Sequence, residues 1–234
     1  MFRKTKFPLV LFAFLAAIIA MPSAVSAREN SLKKEKWALQ FEVDRDFDLN
    51  AFQGSTITVK RHSSDKSAYR LSLTTHLDFK DESTDFPING QPAPGHNDFT
   101  DVKIEVAVQK ISYTNPQGNI NFFWGIGPVY GYQYFLIDQD NITSDRLFQI
   151  KYKREEHTWS LGLNGILGVE WFATKSISFL AEYATTAGYT ERNSKSVRKF
   201  VSNGIVTYDI ETTADLSELS FSSSQVKFGL SVYF

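Results

Sequence analysis

The chain has 234 residues and no cysteine, with 25 Lys and Arg set against 26 Asp and Glu. Without thiols there is no disulfide framework and no thiolate metal site, and a net charge of −1 gives no electrostatic handle on nucleic acid. Aromatic residues reach 15%, including 20 Phe and 10 Tyr, an excess suited to a membrane interface.

Arg3, Lys4 and Lys6 precede an apolar run from Leu9 to Ala20. Pro22 ends that run, and Val25-Ser26-Ala27 supplies the small residues of a cleavage site. The run is shorter than the roughly 20 residues a spanning helix needs, so residues 1–27 read as a secretory signal peptide. The exported chain then starts at Arg28 with a charge of 22 − 26 = −4, because three bases and no acids leave with the signal. Residues 28–36 form a short charged lead-in. No long apolar stretch follows, which excludes a helical membrane protein.

From residue 37 onward the dominant period is two, the signature of half-buried strands. Trp37, Leu39, Phe41 and Val43 alternate with Ala38, Gln40 and Glu42. Ile57 and Val59 alternate with Thr56, Thr58 and Lys60, and Tyr69, Leu71, Leu73, Leu77 and Phe79 with Arg70, Ser72, Thr74, His76 and Asp78. Val102 to Val108, Ile120 to Ile126, Trp159 to Trp171 and Ile177 to Tyr183 repeat the pattern. The eighth is Ser224 to Phe234, where Val226, Phe228, Leu230, Val232 and Phe234 share one face. Eight is an even count, as a closed antiparallel barrel needs.

The connections alternate in length. His62–Lys66, Thr114–Gly118 and Ala173–Lys175 are short and rich in turn formers. Asp44–Asn50 is also short, but Lys80–Asp98, Leu136–Glu156 and Thr190–Phe221 are long and are expected to be loops. Within the last, Lys199 to Tyr208 carries Asn203-Gly204 between β-formers and reads as a projecting hairpin, or as two more strands of a ten-stranded barrel. Short turns at one end and long loops at the other are the asymmetry of outer-membrane barrels, whose short turns face the periplasm.

Period two alone does not say which face is inside. A soluble calyx would turn the apolar face inward. Gly125, Gly127, Gly162, Gly168 and Gly229 lie on the polar face and suit a narrow lumen, while Trp37, Tyr69, Trp159, Trp171 and Phe234 sit near strand ends as an interface belt would. The expected fold is therefore all-β: an eight-stranded antiparallel transmembrane β-barrel over residues 37–234, in the bacterial outer membrane, with short periplasmic turns and longer extracellular loops.

That orientation encloses Glu42, Lys60, Arg70, Lys103, Glu105, Glu170, Glu182 and Lys227. A barrel of this size is filled by its own side chains, and charges confined there must pair. The expected outcome is a salt-bridged plug; a narrow channel or small-ligand conduit is the alternative. Ser72, Thr74, His76 and Asp78 share a strand face, but triads are defined by geometry rather than spacing, and no catalytic residue is assigned. Asp44/Asp46/Asp48 and Asp138/Asp140 offer oxygen ligands without the glycine and distal glutamate of an EF-hand loop, so they read as surface acids and no metal or cofactor is expected. Asn141-Ile142-Thr143 matches a glycosylation acceptor, which carries no chemistry in most bacterial proteins. Lys151, Lys153 and Arg154, with Arg192, Lys195, Arg198 and Lys199, form basic clusters able to pair with lipopolysaccharide phosphates.

The run Lys227-x-Gly229-x-x-Val232-x-Phe234 resembles the C-terminal assembly signal of bacterial outer-membrane barrels. Gly168–Phe172 followed by Ile177–Tyr183 looks like a strand, short turn and strand with a glutamate on each strand. On these residues the chain resembles the small outer-membrane β-barrel superfamily that includes the OmpA transmembrane domain and the opacity-type surface proteins. The resemblance implies a monomer, with barrel-assembly machinery, periplasmic chaperones and outer-membrane lipid as partners. It also implies a non-enzymatic role in envelope integrity or surface contact such as adhesion. A lipid A deacylase would carry His-x-Ser-Asn, which is absent.

Overall fold

The computed structural model describes residues 32–48, 53–88, 91–114, 116–142, 148–202 and 205–234. The signal peptide expected over 1–27 lies outside them. Among the described residues the elements are β1 (Trp37–Asp48), β2 (Gln53–Ser64), β3 (Ser67–Ile88), β4 (Gln91–Tyr113), β5 (Ile120–Ile142), β6 (Phe148–Phe172), β7 (Ile177–Ser202) and β8 (Ile205–Tyr233). Each strand pairs antiparallel with the next, and β1 pairs with β8, so the sheet closes into a ring. The seam is made at the last residue: Phe234 N–H donates to Trp37 O at 3.0 Å, and Trp37 N–H donates to Phe234 O at 3.1 Å.

Pairing register puts directly opposed residues on one face, and the apolar set falls outward on every strand. Leu39, Leu71, Leu163 and Leu167 are 49%, 52%, 57% and 64% exposed. On β6 the outward residues run Trp159, Leu161, Leu163, Leu167, Val169 and Trp171 before His157, Glu155 and Lys153 take over. At ~3.3 Å per residue and a strand tilt of ~40°, Trp159 to Trp171 rises roughly 30 Å.

The strands differ greatly in length, and this corrects the expected loops. Lys80–Asp98, Leu136–Glu156 and Thr190–Phe221 are mostly paired strand: Glu82 opposes Asn97, Ile137 opposes Arg154, and Arg192 opposes Leu216. With water on both faces these stretches need no apolar alternation, so period two could not reveal them. The Lys199–Tyr208 stretch is the end of the β7–β8 hairpin, where Phe200 opposes Tyr208; its Asn203-Gly204 lies outside the described residues. β1 and β2 stay short, and the ladder between β1 and β8 ends at Val43–Phe228. Among the described residues only β3 to β8 continue upward, as a six-stranded wall.

Candidate functional site

The inward face is built in layers. An apolar cluster including Ile111, Tyr113, Phe123, Ile166, Phe172 and Tyr233 lines the lower lumen, with Phe172 and Tyr233 nearest the short turns. Leu32 joins it from the lead-in, which therefore is more than a charged tail. The lead-in is held under the rim by Glu35 N–H to His62 O and His62 N–H to Lys36 O, both 2.8 Å, and Glu35 takes a left-handed backbone at φ 68°. His62, expected in a turn, belongs to β2 and is fully buried, its ring stacked on Tyr113 at 5.5 Å.

Within this apolar surround, Lys60 and Glu170 form a buried ion pair at 3.1 Å. Lys60 Nζ also donates to Tyr113 OH at 2.7 Å. Glu170 accepts from Tyr113 OH at 3.0 Å, Ser178 Oγ at 2.5 Å and Tyr233 OH at 2.7 Å. Burying a charge is costly unless it is paired and hydrogen-bonded, and each ion here is both.

The next layer centres on Arg70. Its guanidinium grips Glu182 with two bonds, 2.6 and 3.1 Å, and donates through Nε to Gln109 at 2.7 Å. Glu42 lies 3.7 Å from the same guanidinium. Gln109 donates on to Asn164, which donates to Thr186 at 2.8 Å. Gly229 leaves the room Glu42 needs, since a Cβ there would sit 2.7 Å from both Glu42 Cγ and Phe41 O.

Over that layer opens a polar vestibule of about 260 Å³, lined among others by Thr74, Lys103, Glu105, Thr186, Ser222 and Lys227. Of the eight charges expected in the lumen, five are packed into the two buried layers: Glu42, Lys60, Arg70, Glu170 and Glu182. Lys227 donates to Thr56 at 3.0 Å on the vestibule wall. Lys103 and Glu105 stand higher and more exposed, 3.9 Å apart.

Residues that share a strand face by sequence are not joined by the fold. Ser72 Oγ accepts from Thr58 at 2.9 Å, whereas His76 faces Asp101 at 3.8 Å. No nucleophile–base contact forms between them. Asp44 is half-buried, and the side chains of Asp46 and Asp48 lie outside the described set. Asp138 is aligned with Asp98 and Asp98 with Asp81, while Asp140 accepts from Gln149 at 2.7 Å. His96 adds a ring nitrogen 3.0 Å from Asp98, so Asp81, His96 and Asp98 are the described residues whose ligand atoms come close enough for a metal ion.

The basic clusters divide by strand phase. Lys151, Lys153, Lys195 and Lys199 lie on the outer face. Arg154, Arg192 and Arg198 lie on the inner face, which corrects the expectation that Arg154 and Arg198 meet lipid phosphates from the outside. Glu156 joins Arg154 at 2.7 Å and Arg192 at 3.1 Å, and Arg198 packs over Tyr152 at 5.5 Å.

Sequence reasoning did not single out Tyr113, Tyr233, Ser178 or Leu32 as parts of the plug. Extending the polar-face phase two steps on β4 and one on β8 reaches both tyrosines, so the signal was present. Leu32 carried none.

No family model and no curated protein matches this chain. Among solved structures, CarO of Acinetobacter baumannii is similar with 12% identity and a TM-score of 0.41, covering 88% of this chain and 100% of that one. A major outer membrane protein from Thermus thermophilus gives 8% identity and a TM-score of 0.37, with 85% and 99% covered. A loop-deleted form of OmpT, an outer membrane protein of Vibrio cholerae, gives 8% identity and 0.15, with 85% and 97% covered. Likeness at this level says nothing about the role of this chain.

Proposed function

We propose that this chain is an outer-membrane barrel that does not conduct and that works at the cell surface through its six-stranded extension. The outward apolar band supports the membrane placement, because its rise of roughly 30 Å suits the ~25 Å apolar belt of such barrels with their aromatic girdles. The short turns then face the periplasm and the extension faces outward. A signal peptide over 1–27 and the Lys227–Phe234 signal fit export followed by assembly, with periplasmic chaperones and barrel-assembly machinery as partners. The outer-face Lys153, lower on the extension than Lys151, supports contact with lipopolysaccharide phosphates.

One observation carries the reading: the lumen is closed by Lys60–Glu170 with its hydroxyl ligands and by the apolar cluster packed around that pair, Leu32 included. A path for ions would have to break a fully ligated buried pair and displace a packed aromatic floor. The vestibule therefore ends blind at its lower side, as suits an envelope or surface-contact protein rather than a conduit. Planar-bilayer recording of the refolded protein tests this. Silence across the voltage range is expected, and steady open-channel current would replace the proposal with a channel.

A further inference from the structure

A long strand edge stands free in the extension. β8 pairs with β7 from Ile205 at the tip downward, with register shifts between Phe200 and Val201 and between Tyr183 and Thr185, but among the described residues no strand pairs with its other side until Phe228 meets Val43. From Ile205 to Ser222 every residue is exposed. At ~3.4 Å per residue this edge runs about 60 Å, and alternate residues direct both N–H and C=O toward the open side.

Natural sheets blunt such edges with lysine, proline or short length. The other free edge does so: His76–Ile88 of β3 carries Lys80 and Pro87. The β8 edge carries carboxylates instead, which repel an acidic strand but not a basic one. Ile205–Ser222 has no lysine, arginine, histidine or proline, and its four charges are Asp209, Glu211, Asp215 and Glu218. Strand phase sorts them. Asp209, Glu211 and Asp215 oppose Lys199, Val197 and Asn193 on the outer face, where Asp209 pairs with Lys199 and Glu211 reaches diagonally to Lys195, while Tyr208, Ile210, Ala214 and Leu216 lie on the inner face. The segment lies above the last outward apolar residues, Leu219 and Phe221, and so clear of lipid.

We infer that the Tyr208–Ser217 edge of β8 accepts an extended basic polypeptide as an added antiparallel strand. Main-chain bonds to a sheet edge supply affinity and the alternating side chains supply specificity. The edge specifies the guest: lysine or arginine on the outer face beside Asp209, Glu211 and Asp215, apolar residues on the inner face beside Ile210 and Leu216. A second copy of the chain is a poor guest, because its β3 edge sets one lysine against Asp78, Asp81, Glu82 and Asp85. This inference rests on the surface reading above and names its partner class.

The test uses the refolded full chain in nonionic detergent and short peptides that alternate lysine with valine, glutamate with valine, or lysine with proline. The lysine–valine peptide should bind about tenfold or more tightly than the other two, and amide exchange should slow within Tyr208–Ser217. Lysine–proline keeps the charge but cannot complete a ladder. The exposed triple change Asp209→Lys, Glu211→Lys and Asp215→Lys should invert the preference toward glutamate–valine. Should that variant misfold, the three peptides on the unaltered chain decide alone. Equal binding of the lysine–proline peptide, no binding of any peptide, protection elsewhere, or edge protection by self-association overturns the inference. Peptide failure with silent bilayers leaves the surface reading intact, whereas channel current overturns that reading and leaves the edge to its own result.

Discussion

The lower half of the ring and the upper extension are made of the same strands, yet different forces hold them. Below, eight strands close the ring and side chains fill it, so Lys60, Glu170, Arg70 and Glu182 are almost wholly removed from water. Each of those charges is tied to named partners, because an unpaired one would cost several kcal/mol. Above, six strands form an open wall with water on both sides. Ion pairs there, such as Lys195–Glu211 at 2.6 Å and Lys199–Asp209 at 3.2 Å, are exposed and held by geometry that solvent screens. The contrast teaches that the same chemistry, a lysine beside a carboxylate, is structural below and interchangeable above.

The sharpest way to break this contrast is at the bottom. Replacing Glu170 with Ala should strand Lys60 in the plug and cost ~3–5 kcal/mol, read from urea unfolding in lipid vesicles. A loss below ~1 kcal/mol would mean that the pair is not desolvated. Next in size is the outer wall: Leu163→Arg places a cation on the apolar band and should cost ~2–4 kcal/mol if that face meets hydrocarbon. No penalty there would remove the membrane from the account. Gly229→Leu should follow, losing ~1–3 kcal/mol as the new side chain drives into Glu42 and the β1 backbone. In the extension Asn193→Lys, on the exposed outer face of β7, should move stability by no more than ~0.5 kcal/mol. Were Asn193→Lys as damaging as Leu163→Arg, the two halves would not differ in environment.

Much of the lower half was legible from residues because both of its faces leave a mark. Lipid-facing Leu71 and lumen-facing Arg70 differ in polarity, so strand, phase and lumen membership followed from counting by two. The pairing of charges was not legible: nothing in the string says that Arg70 holds Glu182 rather than Glu170, since the choice depends on which strands lie across the lumen. The extension escaped for the opposite reason. Where both faces meet water there is no alternation to read, and long paired strands pass for loops. Phase also sorted the basic clusters, sending Arg154 and Arg198 inward although they stand beside outward Lys153 and Lys199.

By itself the sequence determined the period, the phase and the tight turns at one end, because these depend on neighbours within a few residues. Only the tertiary structure decided that Leu32 folds back to seal the floor and that Tyr113 and Tyr233 ligate the Lys60–Glu170 pair. It alone also left β8, among the described residues, with an unpaired edge above Val43. Each of these joins residues far apart in the chain, with Tyr113 and Tyr233 standing 57 and 63 residues from Glu170, and no local pattern carries that reach.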